Sequence, residues 1–491
     1  GIEKNGRREM KKSFLSFVLV FLFATAAVAG LDDALRGKRV GVQLGTTGDS
    51  LAGEVAGATV ERYNKAGDAV QSLLRGKIDA VLIDEQPAAA FVANNSKLAV
   101  SDSDLAREEY AVAVSKQNKK LKASLNAAIA GLKADGTLER VFKNHVGDEK
   151  GAYPVVETGN CPNGKLKVAT NATFPPYEFY ENGEITGIDI DLARLAAAKL
   201  GKCAVFEDME FDAVIGAVQS GKADIGVAGM TVTPERLKNI DFTDSYATSK
   251  QVLIILSDGA EAGYSFVEKF KDDFVRDDRW RYLAAGLKNT LVVTFFAALI
   301  GVVLGSLIGV VRVARDKNGS FPVLNFLCRV YLTVIRGTPA VIQLLIMYYV
   351  VFATADVNKV AVAALAFGLN SAAYVAEIVR SGILSVDHGQ AEAGRSLGLS
   401  FAQTMRFVIL PQAFKNVLPA LANEFIVLLK ETSVCGYIGL MDLTRGGDVI
   451  RSVTYDAFLP LAAVALIYLF FVVVLTALVS RLEKRLKRNE R

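Results

Sequence analysis

With 491 residues, 51% of them hydrophobic, and a positive mean hydropathy, the chain cannot fold as one soluble core; a membrane part joined to one or two soluble domains is expected. A net charge of +4, with no basic stripe in the soluble part, argues against nucleic acid as a partner. The basic run from Arg481 to Arg491 follows an apolar segment and fits a cytoplasmic membrane flank.

Residues 1–29 read as a secretory signal peptide starting at Met10. Met10 is followed by Lys11 and Lys12, an apolar run from Phe14 to Phe23, and Ala27-Val28-Ala29 before Gly30. An uncleaved anchor is the alternative, and either arrangement puts the domain after Gly30 outside the cytoplasm. Four cysteines are too few for a disulfide scaffold. Cys328 and Cys435 lie in or beside apolar segments and are expected as buried thiols. Cys161 and Cys203 each precede a predicted strand in an exported domain, so a disulfide between them is expected, with two buried thiols as the alternative.

From Gly30 to Ser257, Val/Ile-rich runs alternate with helical patterns, as in an α/β domain with parallel strands. The strand Lys38 to Val42 leads into Gly45-Thr46-Thr47-Gly48-Asp49-Ser50, a turn opening a helix whose free N–H groups suit an anion. Ile78 to Ile83 is a buried strand ending at Asp84, where open α/β sheets place ligand contacts; a helix-capping Asp is the plainer reading. Tyr110 to Val114 reads as a strand, Lys119 to His145 as helical, and Gly147 to Gly164 as a linker. A strand at Leu166 to Thr170 precedes Asn171-Ala172-Thr173-Phe174-Pro175-Pro176-Tyr177-Glu178-Phe179. Then come Asp189 and Asp191 at a helix start, Phe211, the strand Ile225 to Ala228, and Gly229-Met230-Thr231-Val232-Thr233-Pro234-Glu235-Arg236.

These residues resemble the periplasmic amino acid binding proteins, whose two α/β lobes close over a ligand. The family's first lobe is similar to Leu166 to Ser257, and its second to Lys38 to about Ala106. A return crossing resembles Glu109 to Val146. Each piece occurs once here but in rotated order, which implies one circularly permuted binding domain: residues 30–108 as lobe 2, and 109–257 as lobe 1 rejoined through 147–164. One crossover between lobes is then expected to be severed near Ser257, and a lobe exchange between two chains is a competing arrangement. The resemblance implies that Arg236 pairs with the ligand carboxylate, helped by Thr231 and the backbone of Thr46 and Thr47. Asp84 and the Gly229 carbonyl would take the ammonium, while Phe174 and Phe211 would sandwich the side-chain stem. Asn171 and Gln43 occupy the positions facing the ligand side chain. Both are neutral, which points to a polar uncharged amino acid such as glutamine or asparagine, unless Glu178 or Asp208 also reaches the pocket.

Residues 258–282 read as a linker, and 283–491 as an all-α membrane domain of about five spans: Gly286 to Val313, Val334 to Ala353, Val360 to Ile383, Thr404 to Leu429 and Ala457 to Ser480. With the N-terminal domain outside, five spans put the C-terminus and the polar loop 387–412 inside. That loop carries Glu392, Ala393 and Gly394, then Gly398, then Ile409-Leu410-Pro411. It resembles the cytoplasmic EAA loop of ABC importer permeases of the polar amino acid subfamily, with Gly394 in place of the second Ala. Arg336-Gly337-Thr338-Pro339 is similar to another turn of these permeases. The resemblance implies an inner-membrane importer that takes up an amino acid through a permease homodimer held in lipid. Separate cytosolic ATPase subunits would dock at Glu392, Ala393, Gly394 and Gly398 and use ATP and Mg. No Gly-Lys-Ser/Thr phosphate loop occurs, so no cofactor or metal of the chain's own, and no enzymatic activity, is expected. A ligand-gated ion channel and an amino acid sensor are the alternatives. The channel lacks a Thr-Val-Gly-Tyr-Gly filter here, and the tail after Ser480 is too short for a signalling domain.

Overall fold

The computed structural model describes residues 31–93, 95–101, 105–153, 161–181, 183–257, 266–353, 355, 357–454 and 456–488. The signal-peptide reading of residues 1–29 lies outside them. The chain divides into two compact units, one holding residues 1–272 with 451–457 and the other residues 273–450 with 458–491.

The first unit is built on two main sheets. One contains β1 (Arg39–Gln43), β2 (Thr59–Tyr63), β3 (Ala80–Asp84), β4 (Leu98–Val100), β5 (Ala106–Tyr110) and β14 (Ala247–Leu256), in the order β2-β1-β3-β14-β4 with β5 also on β14. The other runs β11-β7-β12-β6-β13, from Cys203–Asp208, Lys165–Thr170, Ile225–Gly226, Ala113–Val114 and Asp241–Phe242. A small antiparallel sheet joins β8 (Thr173–Phe174), β9 (Glu178–Glu181) and β10 (Glu184–Thr186). Strands β1, β2 and β3 pair in parallel, as do β11, β7 and β12, because helices fill the connections between them. Central β3 reads Ala-Val-Leu-Ile-Asp and is buried at every position, as a strand covered on both faces must be.

Three expectations need correction. The segment Tyr110 to Val114 is not one strand: β5 ends in the first sheet at Tyr110 and β6 begins in the second at Ala113, so Ala111 and Val112 carry the chain between lobes. The helical stretch Lys119 to His145 is two helices, Lys119–Ala134 and Thr137–His145, broken at Gly136, whose φ of +73° a side chain would strain. Residues 247–256, assigned above to lobe 1, form β14 in the middle of the lobe 2 sheet. The second crossing is therefore Thr243 to Tyr246, and both crossings are intact. Ser257 marks the end of a strand inside one lobe, where no crossover is cut. Cys161 and Cys203 are joined as a disulfide with Cα atoms 5.4 Å apart, while Cys328 and Cys435 are buried free thiols.

In the second unit, three helices are long and apolar enough to cross a membrane: Trp280–Lys317, Lys359–Leu384 and Phe458–Arg485. A fourth crossing is possible by length only if Pro322–Gly337 and Ala340–Val351, bent by 108°, act as one broken span. The break falls at Thr338-Pro339, where the proline cannot continue the helix. The remaining expected span corresponds to Leu410–Glu431, which carries Lys415, Glu424, Lys430, Glu431 and an internal Pro419, and it falls short of that standard. The helices Trp280–Lys317 and Lys359–Leu384 pack through glycines spaced by four. A Cβ on Gly301 would lie 2.8 Å from Ser371 Oγ, on Gly305 2.6 Å from Val375 Cβ, and on Gly309 3.0 Å from the Ala376 carbonyl oxygen. Only a residue without a side chain lets two backbones approach so closely in lipid.

Candidate functional site

In the first unit, a cleft forms where the C-terminal ends of β1 and β3 face the ends of β7 and β12. It is lined by all ten residues expected to meet a ligand: Gln43, Thr46, Thr47, Asp84, Asn171, Phe174, Phe211, Gly229, Thr231 and Arg236. They come from separate chain segments, brought together by sheet topology. Glu108 and Ala228 line it as well and were missed. The signal for Glu108 was present in strand alternation, since Ala106, Glu108 and Tyr110 share one face of β5 and Glu108 and Tyr110 are both buried.

Each side chain is held by its neighbours. Thr46 caps the helix Thr47–Glu54, accepting from the Asp49 N–H at 3.3 Å while its own hydroxyl donates to the Gln43 carbonyl at 2.7 Å. The half-buried Arg236 donates to the carbonyls of Thr231 at 2.7 Å and Gly45 at 2.9 Å, so its fork spans both lobes. Its guanidinium carbon stands 5.4 Å from the centre of the Phe211 ring. Asp84, 7% exposed, accepts from the Tyr110 hydroxyl. Gly229 adopts φ +51° and donates its N–H to Asp189 at 2.7 Å; a Cβ there would come within 2.9 Å of Phe174.

The amides expected to select the ligand are largely engaged with protein. Gln43 donates to Asn171 at 3.3 Å and to the Asn64 carbonyl at 3.2 Å. Asn171 also accepts from Thr173 at 2.8 Å and donates to the Met209 carbonyl at 2.7 Å, which leaves one amide N–H uncommitted. Neither Glu178 nor Asp208 lines the cleft. Glu178 is fully buried, and Asp208 accepts from the Ala172 N–H and the Tyr180 hydroxyl.

Charge in the cleft is concentrated at one end. Burial pushes Asp84 up to about 6, against the Tyr110 hydrogen bond that favours its ionised form. Glu108 is pushed up to about 8, first by burial and then by the nearby Asp84 charge, with the Thr231 hydroxyl and Arg236 opposing. Behind the cleft, burial also raises Asp189 and Glu178.

In the second unit the loop helix runs His388–Ser396, capped by Asp387, and turns at Gly398 with φ +79°. Glu392, Ala393 and Gly398 are exposed, and Leu397 is 81% exposed. Gly394 is different: it is buried, and a Cβ there would lie 2.7 Å from Thr404 Cγ2. Its small size serves packing within the chain, and its face is not offered to a partner. Ser400 and Gln403 form a capping box that starts the next helix. Glu424 accepts from Ser371 at 3.0 Å, a contact within the helix bundle.

Residues 166–431 match the family of bacterial extracellular solute-binding proteins, family 3. The chain is 36% identical over 211 residues to the arginine transport system permease protein ArtQ of Bacillus subtilis, 43% of this chain and 94% of that protein. It is 38% identical over 208 residues to the glutamine transport system permease protein GlnP of Escherichia coli strain K12, 42% of this chain and 93% of that protein. A crystal structure of an amino acid ABC transporter with histidines is 40% identical, covering 46% of this chain and 100% of that one at a TM-score of 0.41. With its cleft in one unit and its apolar helices in the other, the chain belongs to the family 3 solute-binding proteins and to the amino acid ABC transport permeases, fused in one polypeptide.

Proposed function

We propose that this chain captures an amino acid outside the membrane and passes it inward through a permease homodimer driven by separate ATPase subunits. The observation that carries the reading is the convergence of Arg236 and Asp84, opposite in charge, on one cleft walled by Phe174 and Phe211. Arg236 would release its backbone carbonyls to grip the ligand carboxylate with both arms of its fork. Thr231 and the start of the helix Thr47–Glu54 would add donors, while Asp84 and the Gly229 carbonyl would accept from the ammonium. At the side-chain end the cleft offers the neutral amides of Gln43 and Asn171, which supports a polar uncharged ligand of the glutamine type. The exposed Glu392, Ala393, Leu397 and Gly398 support an ATPase docking there on the cytoplasmic side.

The reading of the soluble part as a permuted domain rests on its order: the chain starts in one lobe, crosses at Ala111-Val112, and returns at Thr243 to Tyr246. Calorimetric titration of the full chain in lipid nanodiscs with the common L-amino acids tests the whole reading. One binding event per chain is expected, strongest for glutamine or asparagine. A folded protein that binds none of them would refute it.

A further inference from the structure

We infer that Glu108 is a binding residue of this cleft, the third acceptor for the ligand's ammonium beside Asp84 and the Gly229 carbonyl; this rests on the cleft being an amino acid site. An ammonium has three N–H bonds, and the two acceptors named so far leave one unmet. In the first sheet, β14 lies between β3 and β5 and pairs Gln251 with Asp84 and Ser249 with Glu108. Directly paired residues share a sheet face, and so do residues two apart, so both carboxylates rise from the same face on either side of β14. Glu108 is 5% exposed and lines the cleft. Its Oε2 accepts from the Thr231 hydroxyl, whereas its Oε1 accepts no hydrogen bond. An unpartnered oxygen of that kind is costly to bury, and a ligand donor removes the cost.

The same contact explains how the two ends of a ligand are sensed together. Thr231 now donates to Glu108, and in the bound state the hydroxyl can turn to the ligand carboxylate held by Arg236 while the ammonium takes its place on Glu108. The charged and titratable groups around Glu108 are Asp84 on β3, Tyr110 on β5, and Arg236 on the helix Pro234–Asn239. In the empty cleft Glu108 holds a proton near neutral pH, because its ordinary carboxyl value is raised to about 8. An arriving ammonium favours the ionised form and expels that proton. Binding is therefore accompanied by proton release, and affinity rises with pH until Glu108 is ionised in the free protein.

The experiment uses the full chain in nanodiscs titrated with L-glutamine and L-arginine at pH 7.0 to 8.5, in buffers of different ionisation enthalpy. Asp84, at about 6, is mostly ionised across that window, so the proton count reports on Glu108. For the amino acid that binds, wild type is expected to release up to one proton at pH 7.0 and to gain several-fold in affinity by pH 8.0. Glu108→Gln is expected to release none, to lose the pH dependence, and to bind roughly tenfold more weakly. A wild-type profile that is flat with no proton release overturns the inference even if the variant does not fold. So does a folded variant indistinguishable from wild type. Absence of binding by wild type to either amino acid would instead bring down the reading of the cleft on which the inference rests.

Discussion

The binding cleft and the loop helix His388–Ser396 make opposite uses of their motif residues. In the cleft, ten residues scattered from Gln43 to Arg236 converge on one space. In the loop, adjacent residues separate: Glu392 and Ala393 face outward while Gly394 is packed under Thr404. Nearness in sequence is thus a poor guide to shared purpose. A helix distributes neighbours about 100° apart around its axis, whereas parallel strands deliver their C-terminal ends to a common edge.

That contrast can be broken first in the cleft. Arg236→Ala is expected to cost about 3 kcal/mol of binding, roughly 100-fold in Kd by calorimetry, since a charged partner of the ligand is lost; an effect below threefold would remove Arg236 from the site. Replacing Cys161 and Cys203 by serine opens a bridge between residues 42 apart. It is expected to lower the stability of the first unit by about 3 kcal/mol in denaturant titration while ligand still binds the folded fraction. In the loop, Gly394→Val forces a side chain against Thr404 and is expected to cost about 1 to 3 kcal/mol of stability. By contrast Gly398→Ala meets no neighbouring atom, suffers only from its left-handed φ, and is expected to cost about 1 kcal/mol. If Gly394→Val left melting unchanged and impaired only ligand-stimulated ATP hydrolysis by the assembled transporter, Gly394 would belong to the docking face after all.

Much of the cleft was legible because its chemistry is carried by residue types that are hard to explain otherwise: a carboxylate ending the apolar strand at Asp84, and an arginine after Thr233-Pro234. Glu108 escaped notice because charged residues in a strand usually face water, and only the alternation with Tyr110 reveals that it turns inward. The lobe boundary was misjudged for a related reason. Nothing local in Ala247 to Leu256 tells which sheet it joins, since an apolar β-branched run satisfies either, and the pairing with β3, β4 and β5 settles it. In the membrane unit, hydropathy found the long helices, but the glycines at 301, 305 and 309 were passed over although their spacing of four marks a contact stripe.

Strand β14 leads in sequence to the segment that begins the second unit. It is gripped along its length, by β3 on one side and by β5 and then β4 on the other, in register from Ala247 to Leu256. Tension applied along the chain from the membrane side would load those ladders in shear, many hydrogen bonds at once, and could not unzip them singly. The strand bearing that load also carries Ser249 and Gln251 beneath the cleft, so the tether and the floor of the ligand site are one mechanical element.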